Sequence, residues 1–81
     1  MEAARAEKPN IEAQYHKYAD MLYRIAFSTL QSEMDAQDAV QDVFIKYISV
    51  STDFEDAEHE KAWLLRVTVN RCRDILRSRK V

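Results

Sequence analysis

Near its C-terminal end the chain carries a row of side chains that suit a polyanion. Successive members are three or four residues apart, so they fall within an arc of about 80° on one side of a helix. The row consists of Trp63, Arg66, Asn70, Arg73 and Arg77, with Lys80 at its edge. Arginine neutralises phosphates, asparagine offers a donor and an acceptor to a base edge, and tryptophan stacks on an unpaired base. The row therefore predicts a face that binds nucleic acid.

Plainer explanations exist for the members of this row taken singly. Trp63 can belong to the core by packing on a neighbouring helix, and basic residues near a helix C-terminus are favoured by the helix dipole. A solvated face, however, does not require a tryptophan. We therefore favour nucleic acid as the partner of the whole row. The alternative is a helical protein-interaction module whose basic face binds an acidic protein.

A second row of side chains lies opposite the apolar stripe of the preceding predicted helix. It comprises Asp38, Gln41, Asp42, Ile45 and Ser49. Ile45 stands near the centre of an otherwise polar face, and an apolar centre with a charged rim is the pattern of a small protein interface. A basic or mixed partner helix would complement it. A plain solvated face is the alternative, since single exposed apolar residues are common.

Patterns typical of catalysis or metal binding are poor in this sequence. His16 and His59 lie far apart, and neither belongs to a repeat of metal ligands. Asp38 and Asp42 are a like-charged pair one turn apart, without the Glu-x-x-His pairing that di-metal bundles use. Cys72 falls in an apolar seam, which is typical of an inert core thiol. We expect no enzymatic activity, no metal and no cofactor, which makes a small carboxylate hydrolase the weakest alternative.

Three amphipathic helices must position the two rows, since apolar residues recur at helical spacing in three segments. The predicted helices span residues 11–30, 36–49 and 57–79. The expected seam of the third helix consists of Ala62, Leu65, Val69, Cys72 and Leu76, and Leu64, Thr68 and Ile75 widen it. Periodicity alone leaves open whether this helix is bent or split. The expected fold is an all-α, compact bundle of three main helices.

Polar residues mark the ends of these helices. Asn10 is the expected N-cap of the first helix. For the second helix the sequence offers Ser32 or Asp35, the latter in a loose capping box with Asp38. Ser, Thr and Asp interrupt the helical period between the second and third helices. Phe54 is the unusual residue of that loop, because it either pins the loop to the core or lines a pocket.

Composition supports rigid helices joined by polar loops. The 81 residues include no glycine and one proline, which excludes a P-loop, a Rossmann fingerprint and glycine-lined hairpins. The net charge of −2 combines an acidic part up to residue 59, with five basic and twelve acidic side chains, and a basic remainder with seven and two. This asymmetry predicts two surfaces for two kinds of partner.

Three features of the sequence bear on the cellular location of the protein, and they point to the cytoplasm. No apolar run is long enough to span a membrane, and the charged residues 1–8 lack the apolar stretch of a signal peptide. The single Cys72 cannot form an internal disulfide, which fits a reducing compartment. We therefore expect a cytoplasmic protein without a membrane contact.

Two blocks of the chain, Asp35–Tyr47 and Lys61–Arg77, resemble region 2 of bacterial sigma factors, most closely those of the extracytoplasmic-function (ECF) group. Members typically show an acidic block with glutamine before a phenylalanine, then a Trp-Leu block that ends in asparagine, then a basic run. The resemblance covers about residues 11–80. The two blocks together are specific, whereas either alone would be a moderate signal.

The resemblance implies a role for each row. The second helix would dock on the clamp helices of the largest RNA polymerase subunit through Asp38, Gln41, Asp42 and Ile45. The third helix would bind the non-template strand of the minus-ten promoter element as the duplex melts. Its implied DNA-binding residues are Lys61, Trp63, Arg66, Asn70, Arg73, Arg77 and Lys80. The loop would hold an extruded base through Ser51, Thr52, Asp53 and Phe54, at a cost of a few kcal/mol of unstacking.

The resemblance also implies a domain organisation and a further partner. Residues 1–10 would be a flexible N-terminal lead and residues 11–81 the sigma region 2 domain. The second helical domain of the family, region 4, which reads the minus-thirty-five element, is not in this sequence. Larger sigma factors carry several aromatic residues in the melting segment, whereas Trp63 stands alone here, so strand opening is expected to be weak. An anti-sigma factor would cover the same surfaces.

Overall fold

The computed structural model describes residues 11–50 and 54–79. In these residues the chain forms three α-helices, α1 (Ile11–Leu30), α2 (Glu33–Val50) and α3 (Ala57–Arg79). Every helix packs against the other two. The expected all-α bundle of three main helices is thus confirmed, and α3 is a single continuous helix. The predicted lead at residues 1–10, the loop residues Ser51, Thr52 and Asp53, and Lys80 lie outside the described residues.

The corner between α1 and α2 is made without glycine. Gln31 adopts a left-handed backbone conformation with φ of 58°. Its N–H donates to the carbonyl of Phe27 at 2.8 Å, as in the αL motif that ends many helices. This conformation usually favours glycine, because a Cβ atom crowds the carbonyl oxygen. Two residues therefore suffice to reverse the chain and set α2 antiparallel to α1.

The helix α2 begins three residues earlier than its apolar pattern predicts. The Ser32 hydroxyl accepts a hydrogen bond from the Asp35 N–H at 3.2 Å, so Ser32 is the N-cap. The alternative cap at Asp35, with Asp38 as its capping-box partner, is wrong. The Asp35 carboxylate instead pairs with Arg79 at the end of α3. Arg79 also donates to the Leu30 carbonyl at 3.3 Å, so the end of α3 is fastened to the α1–α2 corner.

The core has an aromatic half and a small-residue half. Large side chains meet where the first part of α1 packs on the end of α2 and the start of α3. This half contains Tyr18, Leu22, Val40, Val43, Phe44, Tyr47 and Leu64. The other half contains Ala26, Leu30, Ala36, Ala39 and Cys72. Small side chains in the second half let the helices approach closely near the tight corner.

The buried face of α3 lies at one edge of the predicted seam, on the side where Leu64, Thr68 and Ile75 widen it. The residues wholly inside are Leu64, Thr68 and Cys72, one turn apart, whereas Val69 is 39% exposed and Ala62 is also exposed. At 100° per residue, the core face is centred about 80° around the helix from the first five seam residues, toward the three that widen the seam. Thr68 can be buried because its hydroxyl donates to the Leu64 carbonyl at 2.8 Å. The rotation places the row of arginines almost directly opposite the core.

Candidate nucleic-acid and polymerase interface

The outer face of α3 presents the predicted basic row to solvent. Arg66, Asn70, Arg73 and Arg77 are all exposed on this face. Lys61 is exposed as well, but it precedes Arg66 by five residues, which at 100° per residue puts it about 140° around the helix from Arg66. Arg77 approaches Asp74 at 3.6 Å, but both side chains are mostly exposed. Pairs of this kind contribute little, so the Arg77 guanidinium stays available to a phosphate. The structure thus brings these side chains together along one helix.

Trp63 differs from the rest of the row because it is half-buried. Its ring lies 6.1 Å from that of Tyr47 and 5.7 Å from that of Phe54, in tilted arrangements. Trp63 therefore packs on the aromatic half of the core, as its plainer explanation holds, while part of the indole remains accessible beside Arg66. Its role in base stacking stays a prediction.

Phe54 pins the start of the segment that leads into α3. Its ring stacks on Tyr47, with 6.0 Å between centroids and 9° between planes, and meets the edge of His59 at 5.3 Å. Asp56 caps α3, since its carboxylate accepts from the His59 N–H at 2.8 Å. The His59 Nδ1 atom in turn accepts from the Glu55 N–H at 3.1 Å. Of the two sequence-based alternatives for Phe54, packing on the core is confirmed, and a pocket for a base stays a prediction.

A buried carboxylate joins all three helices beneath this aromatic cluster. The Glu60 side chain is 9% exposed. Its two oxygens accept from the Gln14 amide at 2.8 and 2.9 Å. The Tyr18 hydroxyl donates from 3.5 Å, and the Tyr47 hydroxyl also donates to Oε2. The network fixes the first turn of α3, which carries Trp63, against α1 and α2.

The network affects the acid–base properties of Tyr47. Burial of the phenol raises its pKa well above the ordinary 10.0, and the hydrogen bond to the Glu60 carboxylate acts in the same direction. Sequence reasoning missed this site, because Glu60 was counted with the charges of α3. The available signal was its position four residues before Leu64, which is the next turn of the buried face.

The four residues predicted to bind the polymerase do not all face outward from α2, because three face solvent and Asp42 contacts α3. Asp38 and Gln41 are exposed, and Ile45 is 63% exposed between them and the end of the helix. Met34, at 80%, and Ile48, at 54%, add exposed apolar area to this helix. The apolar period of the second helix predicts Ile48 on the core side, and the structure places it in solvent. The apolar part of the face is therefore larger than the sequence indicated.

Asp42 points toward α3 rather than outward. Its Oδ2 atom accepts from Nε of Arg71 at 2.7 Å, and both side chains are a little over one third exposed. A groove of about 390 Å³ runs beside this ion pair between α2 and α3. Its lining includes Ile45 from the α2 face and Asn70 from the α3 face. The two predicted faces thus meet at the Asp42–Arg71 pair.

Neither a metal site nor a membrane span emerges from the part of the chain that the structure describes. Within residues 11–50 and 54–79, no three His, Cys, Asp or Glu side chains are grouped to hold a metal ion. The three helices are each too short or too polar to cross a membrane. Burial raises the pKa of the Cys72 thiol, partly offset by the charge of Arg71, so this thiol lacks the features of a nucleophile.

Known proteins are similar in sequence to this chain. A family model described as sigma-70 region 2 matches residues 14–81. The chain is 29% identical over 75 residues to the protein named ECF RNA polymerase sigma factor SigE of Mycolicibacterium smegmatis, which covers 93% of this chain and 29% of that protein. It is 39% identical over 49 residues to the RNA polymerase sigma factor CnrH of Cupriavidus metallidurans, and this match covers 60% of this chain and 26% of that protein. No solved structure gives a significant match.

These matches confirm the resemblance drawn from the two sequence blocks. The chain spans less than a third of the length of the curated relatives it matches. The family match itself extends over most of the chain and includes the outer faces of both α2 and α3. The chain belongs to the sigma-70 region 2 family, with similarity to sigma factors of the ECF group.

Proposed function

We propose that this chain is the part of a sigma factor that binds core RNA polymerase through α2 and the minus-ten promoter element through α3. The family is one of non-enzymatic initiation factors. The observation that carries the proposal is the presence of two distinct exposed faces on one rigid bundle. One has Ile45 at an apolar centre, and the other has three arginines around Asn70.

On the α3 face, the arginines would hold phosphates of the non-template strand and Asn70 would read a base edge. Phosphate contacts position the protein but carry no sequence information, whereas an amide can form paired hydrogen bonds to a base. Trp63 would supply a stacking surface at the start of the row. Ser51, Thr52, Asp53 and Phe54 would border the site of an extruded base, and Lys80 would extend the basic row.

Selection from a randomised pool of single-stranded DNA tests the α3 assignment. The parent chain is expected to enrich a defined sequence. Asn70→Ala should lose most of this enrichment and keep most of its affinity, because the phosphate contacts remain. Gln37→Ala is the matched control, since it removes an exposed amide from α2. If Asn70→Ala enriches the same sequence as strongly as the parent, Asn70 does not read a base.

On the α2 face, Ile45 would insert between side chains of the polymerase clamp helices, with Asp38 and Gln41 at the rim. Asp42, which lies beside α3, would also contact the clamp helices. The centre of a small interface carries most of its binding energy, and its rim excludes water. An anti-sigma factor is a further proposed partner, since covering either face would block initiation.

Binding to a purified clamp-helix fragment tests the α2 assignment. Ile45→Glu should weaken binding about tenfold or more, because it places a charge at the centre of the contact. The matched control is Val69→Glu, which adds the same charge at an exposed aliphatic residue of α3. Equal binding by Ile45→Glu and the parent would refute the assignment. A chain that binds acidic proteins through α3 but neither probe would support the interaction-module alternative.

A further inference from the structure

We propose that the Asp42–Arg71 ion pair couples the two faces, so that a cationic partner at α2 frees Arg71 to bind a DNA phosphate. This inference rests on the proposed function, since it needs a protein partner on α2 and DNA on α3. It adds Arg71, which is not part of the row on α3, to the DNA-binding residues. It also gives Asp42 a role that acts through Arg71.

The geometry supplies both halves of the coupling. The Nε atom of Arg71 donates to Asp42 Oδ2 at 2.7 Å, so each charge is satisfied within the chain. The side chains remain 36% and 38% exposed, so ligands can reach either one. Arg71 directly follows Asn70, and both line the groove that Ile45 also borders. A molecule bound across Ile45 therefore comes within reach of Asp42.

Charge competition is the physical basis. A carboxylate that accepts from a partner's lysine or arginine holds Arg71 less strongly, and the released guanidinium can donate to a phosphate. Other charges border the same groove. Lys46 is exposed on α2, and Asp74 is exposed on α3 beside Arg77. Neither forms the Asp42–Arg71 contact, so the pair can be changed without altering them.

Reciprocity makes the proposal testable from both sides. If a partner on α2 raises the affinity for DNA, DNA must raise the affinity for that partner by the same factor. The expected factor is about twofold to fivefold, which is the scale of a half-exposed ion pair. One added phosphate contact would steepen the salt dependence of single-strand binding by about 0.7 in log–log slope.

The DNA side is measured with a short fluorescent single-stranded DNA of randomised sequence, titrated with the parent and with Asp42→Asn. The variant keeps the shape of the side chain and removes its charge. We expect its DNA affinity to rise about twofold to fivefold with a steeper salt dependence. Asp20→Asn makes the same charge change at an exposed carboxylate of α1 and should leave both nearly unchanged. A misfolded variant would lose affinity, so a gain has no structural explanation.

The partner side is measured with the clamp-helix fragment. Arg71→Gln should raise the affinity for the fragment, because Asp42 is no longer satisfied within the chain. Arg24→Gln, which removes an exposed cation of α1, is the control. With the parent, saturating fragment should raise DNA affinity by the same factor, and in Asp42→Asn this enhancement should disappear.

The possible results separate the two proposals. If the parent binds both probes, but Asp42→Asn does not gain DNA affinity or Arg71→Gln does not gain fragment affinity, the coupling is refuted and the proposed function stands. If the parent binds neither probe, the proposed function fails and the coupling fails with it.

Discussion

Removal of the Tyr47 hydroxyl is the sharpest test of the buried network. In Tyr47→Phe the ring keeps its packing on Phe54 and Trp63, while the Glu60 carboxylate loses one of its two donors at Oε2. Hydrogen bonds to charged groups contribute about 1.5–3 kcal/mol, and a buried charge left without a donor pays its desolvation cost. Gln14 still donates to both oxygens, at 2.8 and 2.9 Å. We therefore expect a loss of about 2 kcal/mol in the free energy of unfolding.

Urea unfolding followed by circular dichroism measures this loss. In a domain of this size each kcal/mol corresponds to about 4–8 °C, so the thermal midpoint should fall by about 10 °C. Tyr23→Phe is the matched control. Tyr23 is a half-buried tyrosine of α1 whose ring stacks on Phe27, and its hydroxyl makes no hydrogen bond with a residue that the structure describes. A loss in Tyr47→Phe no larger than that in Tyr23→Phe would refute the stabilising role of the network.

Three other predictions concern pH, the tight corner and the thiol. The pKa of Tyr47 is higher in the folded than in the unfolded chain, so the stabilisation that the neutral phenol gives is complete below pH 10.0 and is lost as the pH rises above it. In alkaline urea titrations, the free energy of unfolding of Tyr47→Phe should therefore fall less steeply with pH than that of the parent, by up to about 1.4 kcal/mol per pH unit. Gln31→Gly should stabilise the chain by about 0.5–1 kcal/mol, because glycine adopts the left-handed φ of 58° without a crowded Cβ atom. Gln37→Gly inside α2 should destabilise it by about 1 kcal/mol. If chemical unfolding shows that both variants change the free energy of unfolding in the same direction, this explanation is contradicted. Cys72 is 1% exposed, so an aromatic disulfide reagent should modify it only as fast as the core opens, and rapid labelling of the native chain would show that the core half around it is loose.

The sequence alone determined the helical content and the bundle, and the resemblance of two of its blocks to known proteins indicated the family. The helices and the bundle follow from local chemistry, because a helical period, a Ser cap and a loop of Ser, Thr and Asp each act within a few residues. The row from Arg66 to Arg77 was also predictable, since side chains three and four residues apart share a face in any α-helix. What an unbroken helix presents on one side needs no knowledge of its neighbours.

The tertiary structure alone decided which edge of the predicted α3 seam is buried and which charges meet. Ala62 and Leu64 both belong to the widened seam that the sequence predicts, and the packing of α1 and α2 buries Leu64 and leaves Ala62 exposed. The same rotation buries Glu60 next to hydroxyl groups that lie 42 and 13 positions away in the sequence. It also turns Asp42 toward Arg71. Contacts between helices depend on crossing geometry, and the period of a single helix contains no information about that geometry.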